Sequence, residues 1–201
     1  MTGSFGTVDL VRQNIEKAGS AESIALWCML SSEQLTILEN PTLLRLLFLS
    51  AYSTGKTMLL RFKALHLAKA GQRVLYLFCL KTSFGNSDFE LLICHQLKDL
   101  FKDQPNITLK SFHYKDYRKL SGLVLNHPEH HLMIDKLFVT TKHFLNLMEE
   151  LSIAVSKDRC LWVCLAGHED SEGWSLAMAV EVIKRDDWHV PSMKTAFRYE
   201  K

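Results

Sequence analysis

Residues 43–71 read "LLRLLFLSAYSTGKTMLLRFKALHLAKAG", and this stretch decides the fold. Its centre, "SAYSTGKT" at 50–57, satisfies the pattern G-x-x-x-x-G-K-[ST] at every specified position except the first, where Ser50 stands in place of glycine. An apolar run, "LLFL", leads into it. From Thr57 onward Leu60, Ala64, Leu67 and Ala68 recur at spacings of three and four, an apolar stripe that predicts a helix, with Arg61, Lys63 and Lys69 lying off the stripe. Gly71 supplies the stop. The order strand, turn, helix aims backbone N–H groups and the positive helix end at one point, where phosphate oxygens would sit. Ser50, Ala51, Tyr52, Ser53, Thr54 and Gly55 would form the loop, Lys56 would reach β- and γ-phosphates, and Thr57 would offer a hydroxyl to Mg²⁺. The competing reading is a polar turn between strand and helix that Gly55 merely permits. Serine is confined to ordinary φ/ψ values where glycine is not, so Ser50 predicts a reshaped loop.

Composition sets the bounds. The chain has 201 residues, of which 47% are hydrophobic and 23% charged, ordinary values for a globular protein with one well-buried core. Lys and Arg outnumber Asp and Glu by 24 to 22, and a formal charge of +2 does not call for a nucleic-acid partner on bulk electrostatics. The N-terminus lacks the basic-then-apolar order of a secretory signal, and the most apolar run, "LLRLLFLSAY", contains Arg45 and is too short to span a bilayer. No membrane partner is expected on that ground, and five cysteines without a framework suggest reduced thiols in a cytoplasmic or nuclear setting. Cys160, Cys164 and His168 are evenly spaced, but the cysteines fall in an apolar strand and read as buried thiols rather than metal ligands; "HPEHH" at 127–131 reads as a loop entering a strand.

Short runs rich in β-branched and aromatic residues alternate with helical periodicity, the pattern of a largely parallel sheet covered by helices. Strands are expected near 44–49, 74–80, 107–112, 131–134 and 161–166. Besides the helix after the loop, 88–102 and 141–155 are expected to be helical, and residues 1–30 read as an amphipathic helical extension.

A second acidic position follows in chain order. "HHLMIDKLFV" is an apolar strand ending in Asp135, and a carboxylate at the C-terminal end of a parallel strand faces the ligand crevice, where it could hold Mg²⁺. The competing reading is an aspartate that caps the next helix or simply ends a strand. The following residue is Lys136, and a protonated lysine cannot serve as the base that polarises an attacking water.

With these residues in order, the chain resembles the first RecA-like domain of superfamily 1 helicases of the UvrD/Rep type. The resemblance implies a three-layer α/β P-loop NTPase fold over 31–201, with ATP and Mg²⁺ as ligands. "LSSEQLTIL" looks like the family's entry segment, which would put Gln34 on adenine, although Ser31-x-x-Gln34 is also a capping box. "ITLKSFHYKDY" looks like a strand carrying single-strand contacts through Ser111, Phe112 and His113; packing of Phe112 in the core is the other reading. "LWVCLAGHEDS" keeps Gly167 of a sensor motif but has His168 and Ser171 where the family has aspartate and glutamine. "VPSMKTAFRYEK" looks like a segment whose arginine, here Arg198, would stabilise charge on the γ-phosphate, while Ala196 departs from it. Ser50, Lys136, His168, Ser171 and Ala196 thus replace residues used for binding or hydrolysis. Gly55, Lys56, Thr57, Asp135 and Arg198 are kept. A second RecA-like domain is not expected within the chain. The resulting expectation is a helicase-like nucleotide-binding domain with weak or absent hydrolysis, nucleic acid being a weakly supported partner. A non-catalytic protein-interaction module and a regulated signalling ATPase are the alternatives.

Overall fold

The computed structural model describes residues 30–49, 55–80, 87–139, 141–165 and 188–191, with backbone alone at 87–91 and 141–142. Tertiary contacts divide the chain into two compact units, Met1–Glu39 and Asn40–Lys201. In the first, the described part is helix α1 (Ser32–Glu39). Ser31 and Gln34 close a reciprocal capping box at its start: the Ser31 N–H donates to Gln34 Oε1 at 2.8 Å, and the Gln34 N–H donates to Ser31 Oγ at 3.2 Å.

The second unit alternates strand and helix: β1 (Arg45–Phe48), α2 (Lys56–Lys69), β2 (Val74–Leu80), α3 (Ser87–Phe101), β3 (Ile107–His113), a 3₁₀ turn (Tyr114–Lys119), α4 (Leu120–Leu125), β4 (His131–Leu137), α5 (Thr141–Ala154) and β5 (Leu161–Leu165). The five strands form one sheet in the order β1-β5-β4-β2-β3, every pair parallel. β1, β2, β4 and β5 are buried almost throughout, because parallel sheets carry helices on both faces, while the edge strand β3 is half-exposed. From β1 to β2 to β3 the chain moves one way across the sheet, and from β3 to β4 to β5 it moves back. Right-handed crossovers then require the helices of the two passages to lie on opposite faces.

Packing bears this out. One face is covered by α2 and α3: the Lys63 ammonium of α2 lies 4.9 Å from the Trp162 ring of β5, and Phe101 of α3 meets Tyr76 of β2 at 5.2 Å. The other face is one apolar cluster in which Leu47, Leu75, Ile134 and Val163 of the sheet pack with Val124 of α4 and Phe144, Leu147 and Leu151 of α5. Residues 188–190 run along the free edge of β1, where the Leu47 N–H donates to the His189 carbonyl at 3.0 Å and the His189 N–H to the Arg45 carbonyl at 2.9 Å.

Two details depart from the sequence reading. Lys63 is on the buried face of α2, not off it, since its long stem packs as an apolar chain and its ammonium rests on an indole face. β4 does not end at Asp135 but continues to Leu137 through an irregularity: Ile134 pairs with Val163 and Leu137 with Leu165, so Asp135 and Lys136 together face Cys164. Lys136 accommodates the extra residue with a left-handed φ of 56°.

Candidate functional site

The start of α2 brings together what the motif order predicts. Gly55, at the N-cap, has φ 80°, a conformation that suits glycine and strains other residues, and its carbonyl accepts the Leu59 N–H at 3.0 Å to open the helix. Lys56 and Thr57 therefore stand in the first turn, where the helix dipole is positive.

Asp135 meets them from β4, because α2 packs on the face of the sheet to which Asp135 points. Thr57 Oγ1 donates to Asp135 Oδ1 at 2.9 Å, and the Tyr76 hydroxyl on β2 donates to Asp135 Oδ2 at 3.0 Å. Asp135 is 0% exposed. Burial raises its carboxyl above the usual aspartate value, opposed in turn by the Thr57 hydrogen bond, the Arg61 charge, the Tyr76 hydrogen bond and the Lys136 charge. Burial likewise pulls the Lys56 ammonium below the usual lysine value, with the neighbouring Cys164 and Asp135 working against it. Burial also pushes up the Tyr76 hydroxyl and the Cys164 thiol, each raised further by Asp135. The site is thus a lysine, a hydroxyl and a carboxylate in a dry setting at one helix N-terminus.

Lys136 turns its ammonium over the Phe78 ring, 5.3 Å from the centroid. Phe78 shares a face of β2 with Tyr76, so the bulge puts Asp135 and Lys136 on the same side of the sheet.

Gln34 belongs to the first unit and closes the capping box there. Ser50, Ala51, Tyr52, Ser53 and Thr54 of the loop, and Arg198, Ala196, His168 and Ser171, lie outside the described residues. Phe112 packs against the apolar cluster, and His113 Nδ1 accepts the Lys115 N–H at 3.3 Å, capping the 3₁₀ turn. Of the "HPEHH" histidines, His127 takes a hydrogen bond from Lys110 at 2.9 Å and His131 accepts the Cys160 N–H at 2.9 Å. Among the described residues no group of three His, Cys, Asp or Glu is placed to hold a metal ion, and Cys79, Cys94, Cys160 and Cys164 are not joined in disulfides. No described helix is long and apolar enough to cross a membrane.

Tyr76 and Cys164 escape the motif reading. Strand periodicity carries a usable signal, for Tyr76 is the one residue of "VLYLFCL" with a hydroxyl, and period-2 alternation puts it on one face with Phe78. No protein-family model and no curated protein sequence matches the chain.

Proposed function

We propose that the chain binds the phosphates of a nucleoside triphosphate, ATP, at the loop 50–57, and hydrolyses it weakly or not at all. The observation that supports this is the hydrogen bond from Thr57 to Asp135, two residues 78 apart in sequence, at the N-terminus of a helix that also carries Lys56. Phosphate oxygens would meet the helix N–H groups and the Lys56 ammonium. The lowered Lys56 value reflects burial of the cation, and an anionic ligand would raise it again.

Thr57 and Asp135 supply hard oxygen donors side by side, the type that suits Mg²⁺, and these two residues would hold the ion that accompanies the triphosphate. That ion would neutralise phosphate charge. Hydrolysis needs a base near the attacking water, and Lys136, the residue after Asp135, is a cation resting on Phe78. Arg198 would face the γ-phosphate if the resemblance to the first RecA-like domain of UvrD/Rep-type helicases extends to its segment, and the reading is then of a helicase-like domain that holds nucleotide.

A second reading, a non-catalytic interaction module, draws on Asp135 itself: fully buried and bonded through both oxygens, it would serve as a strut between α2, β2 and β4. Equilibrium binding of a fluorescent ATP analogue separates the two. Nucleotide binding predicts saturable association that weakens at least about tenfold in Lys56→Ala, a loss of roughly 1.4 kcal/mol or more. Equal affinity in both proteins, or no change in melting temperature with Mg·ATP, would leave the strut as the role of these residues.

A further inference from the structure

The carboxyl ends of β3 and β4 open onto a concavity whose described lining includes none of Lys56, Thr57 and Asp135. β3 runs into the 3₁₀ turn, β4 runs into Phe138 and Val139, and α5 starts beside them with His143 in its first turn. Tyr114, Lys115, Tyr117, Arg118, Phe138 and His143 line a solvent-open pocket of about 330 Å³, at the small end of the range for ligand sites.

The lining is organised as rings and cations. Tyr117 stacks on His143, with centroids 5.5 Å apart and planes inclined by 30°, and Tyr114 stands edge-on to Phe138 at 5.3 Å. Lys115 lies over the Tyr114 ring and Arg118 over the Tyr117 ring, each 5.8 Å from the centroid. Arg118 Nε also donates to the Tyr117 hydroxyl at 3.2 Å. No described residue of the lining is acidic, and the one carboxylate of the turn, Asp116, is paired with Lys119 at 2.7 Å.

Core packing accounts for only part of this arrangement: Val139 belongs to the apolar cluster and Tyr117 packs against it, but the other rings do not. The apolar cluster takes Phe144 from the same turn of α5 as its buried residue, while Tyr114, Phe138 and His143 stay half-buried and Lys115 and Arg118 exposed. Half-buried rings offer a flat apolar surface, and the two cations sit over those same surfaces. A flat ring laid on the Tyr117–His143 stack would carry a negative group within reach of Arg118 and Lys115.

We propose that this pocket binds a planar aromatic ring joined to an anionic group, of the size of one nucleotide. The ring is held by stacking and the anion by the two cations, so neither half alone reproduces the binding. The ligand is either a free mononucleotide or one unit of a single strand, which share this chemistry.

The test follows the His143 imidazole proton resonances, assigned with His143→Asn, while AMP, adenosine, ribose 5-phosphate or an eight-residue oligothymidylate is added to the full chain. Repeating it in Lys56→Ala keeps the phosphate loop out of the result. AMP is expected to shift the His143 resonances and to bind at least about tenfold more tightly than adenosine or ribose 5-phosphate. Tyr117→Ala should weaken AMP at least about fivefold, in line with the contribution of a stacked base, and Tyr117→Phe should retain it. Arg118→Gln, which keeps the stem and removes the charge, should weaken AMP while leaving adenosine unchanged. Tighter binding of the oligothymidylate with the same His143 shift would identify a strand as the source, and equal affinity a free nucleotide; both sustain the proposal. Unmoved His143 resonances, or AMP affinity indifferent to Tyr117→Ala and Arg118→Gln, would overturn it.

Discussion

Asp135 accepts one hydroxyl hydrogen bond on each carboxyl oxygen, and each has a different chemical sense. Thr57 belongs to the helix that would carry phosphate, whereas Tyr76 is a fully buried residue of a neighbouring strand. Tyr76→Phe is therefore expected to cost about 1–3 kcal/mol of unfolding free energy, because it removes a hydroxyl donor from a fully buried carboxyl. The midpoint of urea unfolding should fall with its slope unchanged. The carboxyl, which the Tyr76 hydrogen bond holds down, should titrate higher still in that variant. Sequence order names Lys56, Thr57 and Asp135 as candidates, since a loop lysine, a hydroxyl and a strand carboxylate stand at readable positions, and the fold hydrogen-bonds Thr57 to Asp135. Tyr76 could not be found that way: its partner lies 59 residues away, and the pairing depends on which strands are neighbours. Lys63 falls off the apolar stripe because periodicity arithmetic counts a lysine as polar, while its stem is long enough to cross buried ground.

At the scale of elements, Arg45 shows why a charged residue interrupts the most apolar run of the chain. Its guanidinium reaches from β1 to the end of α5, donating to the Val155 carbonyl at 2.7 Å, to Ser156 at 3.2 Å and to Arg159 at 3.4 Å. The carbonyls at a helix C-terminus have no intrahelical partners and carry partial negative charge, so a buried cation there satisfies both needs. Arg45→Met keeps the stem and removes the donors. It should destabilise the protein by about 1–3 kcal/mol, and amide hydrogen exchange should quicken in the last turn of α5 more than in β3. The elements themselves were largely legible. β2 matches its expected bounds, and α5 and α3 begin and end within a residue or so of theirs, because apolar periodicity and capping residues mark them. The extension of β4 past Asp135 was not legible. It depends on a bulge at Lys136, and no local signal announces a lysine with left-handed φ.

For the whole molecule, the α/β class and parallel sheet followed from alternating elements, but the strand order β1-β5-β4-β2-β3 did not, since it is fixed by contacts between distant segments. That order makes β4 and β5 neighbours and so joins His131 at the start of one to Cys160 before the other. His131 Nδ1 accepts the Cys160 N–H at 2.9 Å, which leaves Nε2 to carry the proton of a neutral ring and to face Gln72 Oε1 at 3.4 Å. Burial, with the Arg159 and Lys63 charges adding to it, lowers the imidazole from 6.5 to about 4. The unfolded chain therefore binds this proton first as pH falls, and stability declines between about 6.5 and about 4. From pH 7 to pH 5 the loss attributable to this ring is about 2 kcal/mol. The buried Asp135 acts in the opposite sense, since its raised carboxyl is protonated in the folded state before it is in the unfolded chain, which adds stability as pH falls toward the ordinary aspartate value. The decline should accordingly be steepest between pH 6.5 and 5 and flatten below, and urea unfolding across that range measures it. In His131→Asn the slope between pH 6.5 and 5 should fall by about one proton, whatever the variant's stability at neutral pH. An unchanged slope would show that another group sets the acid limb.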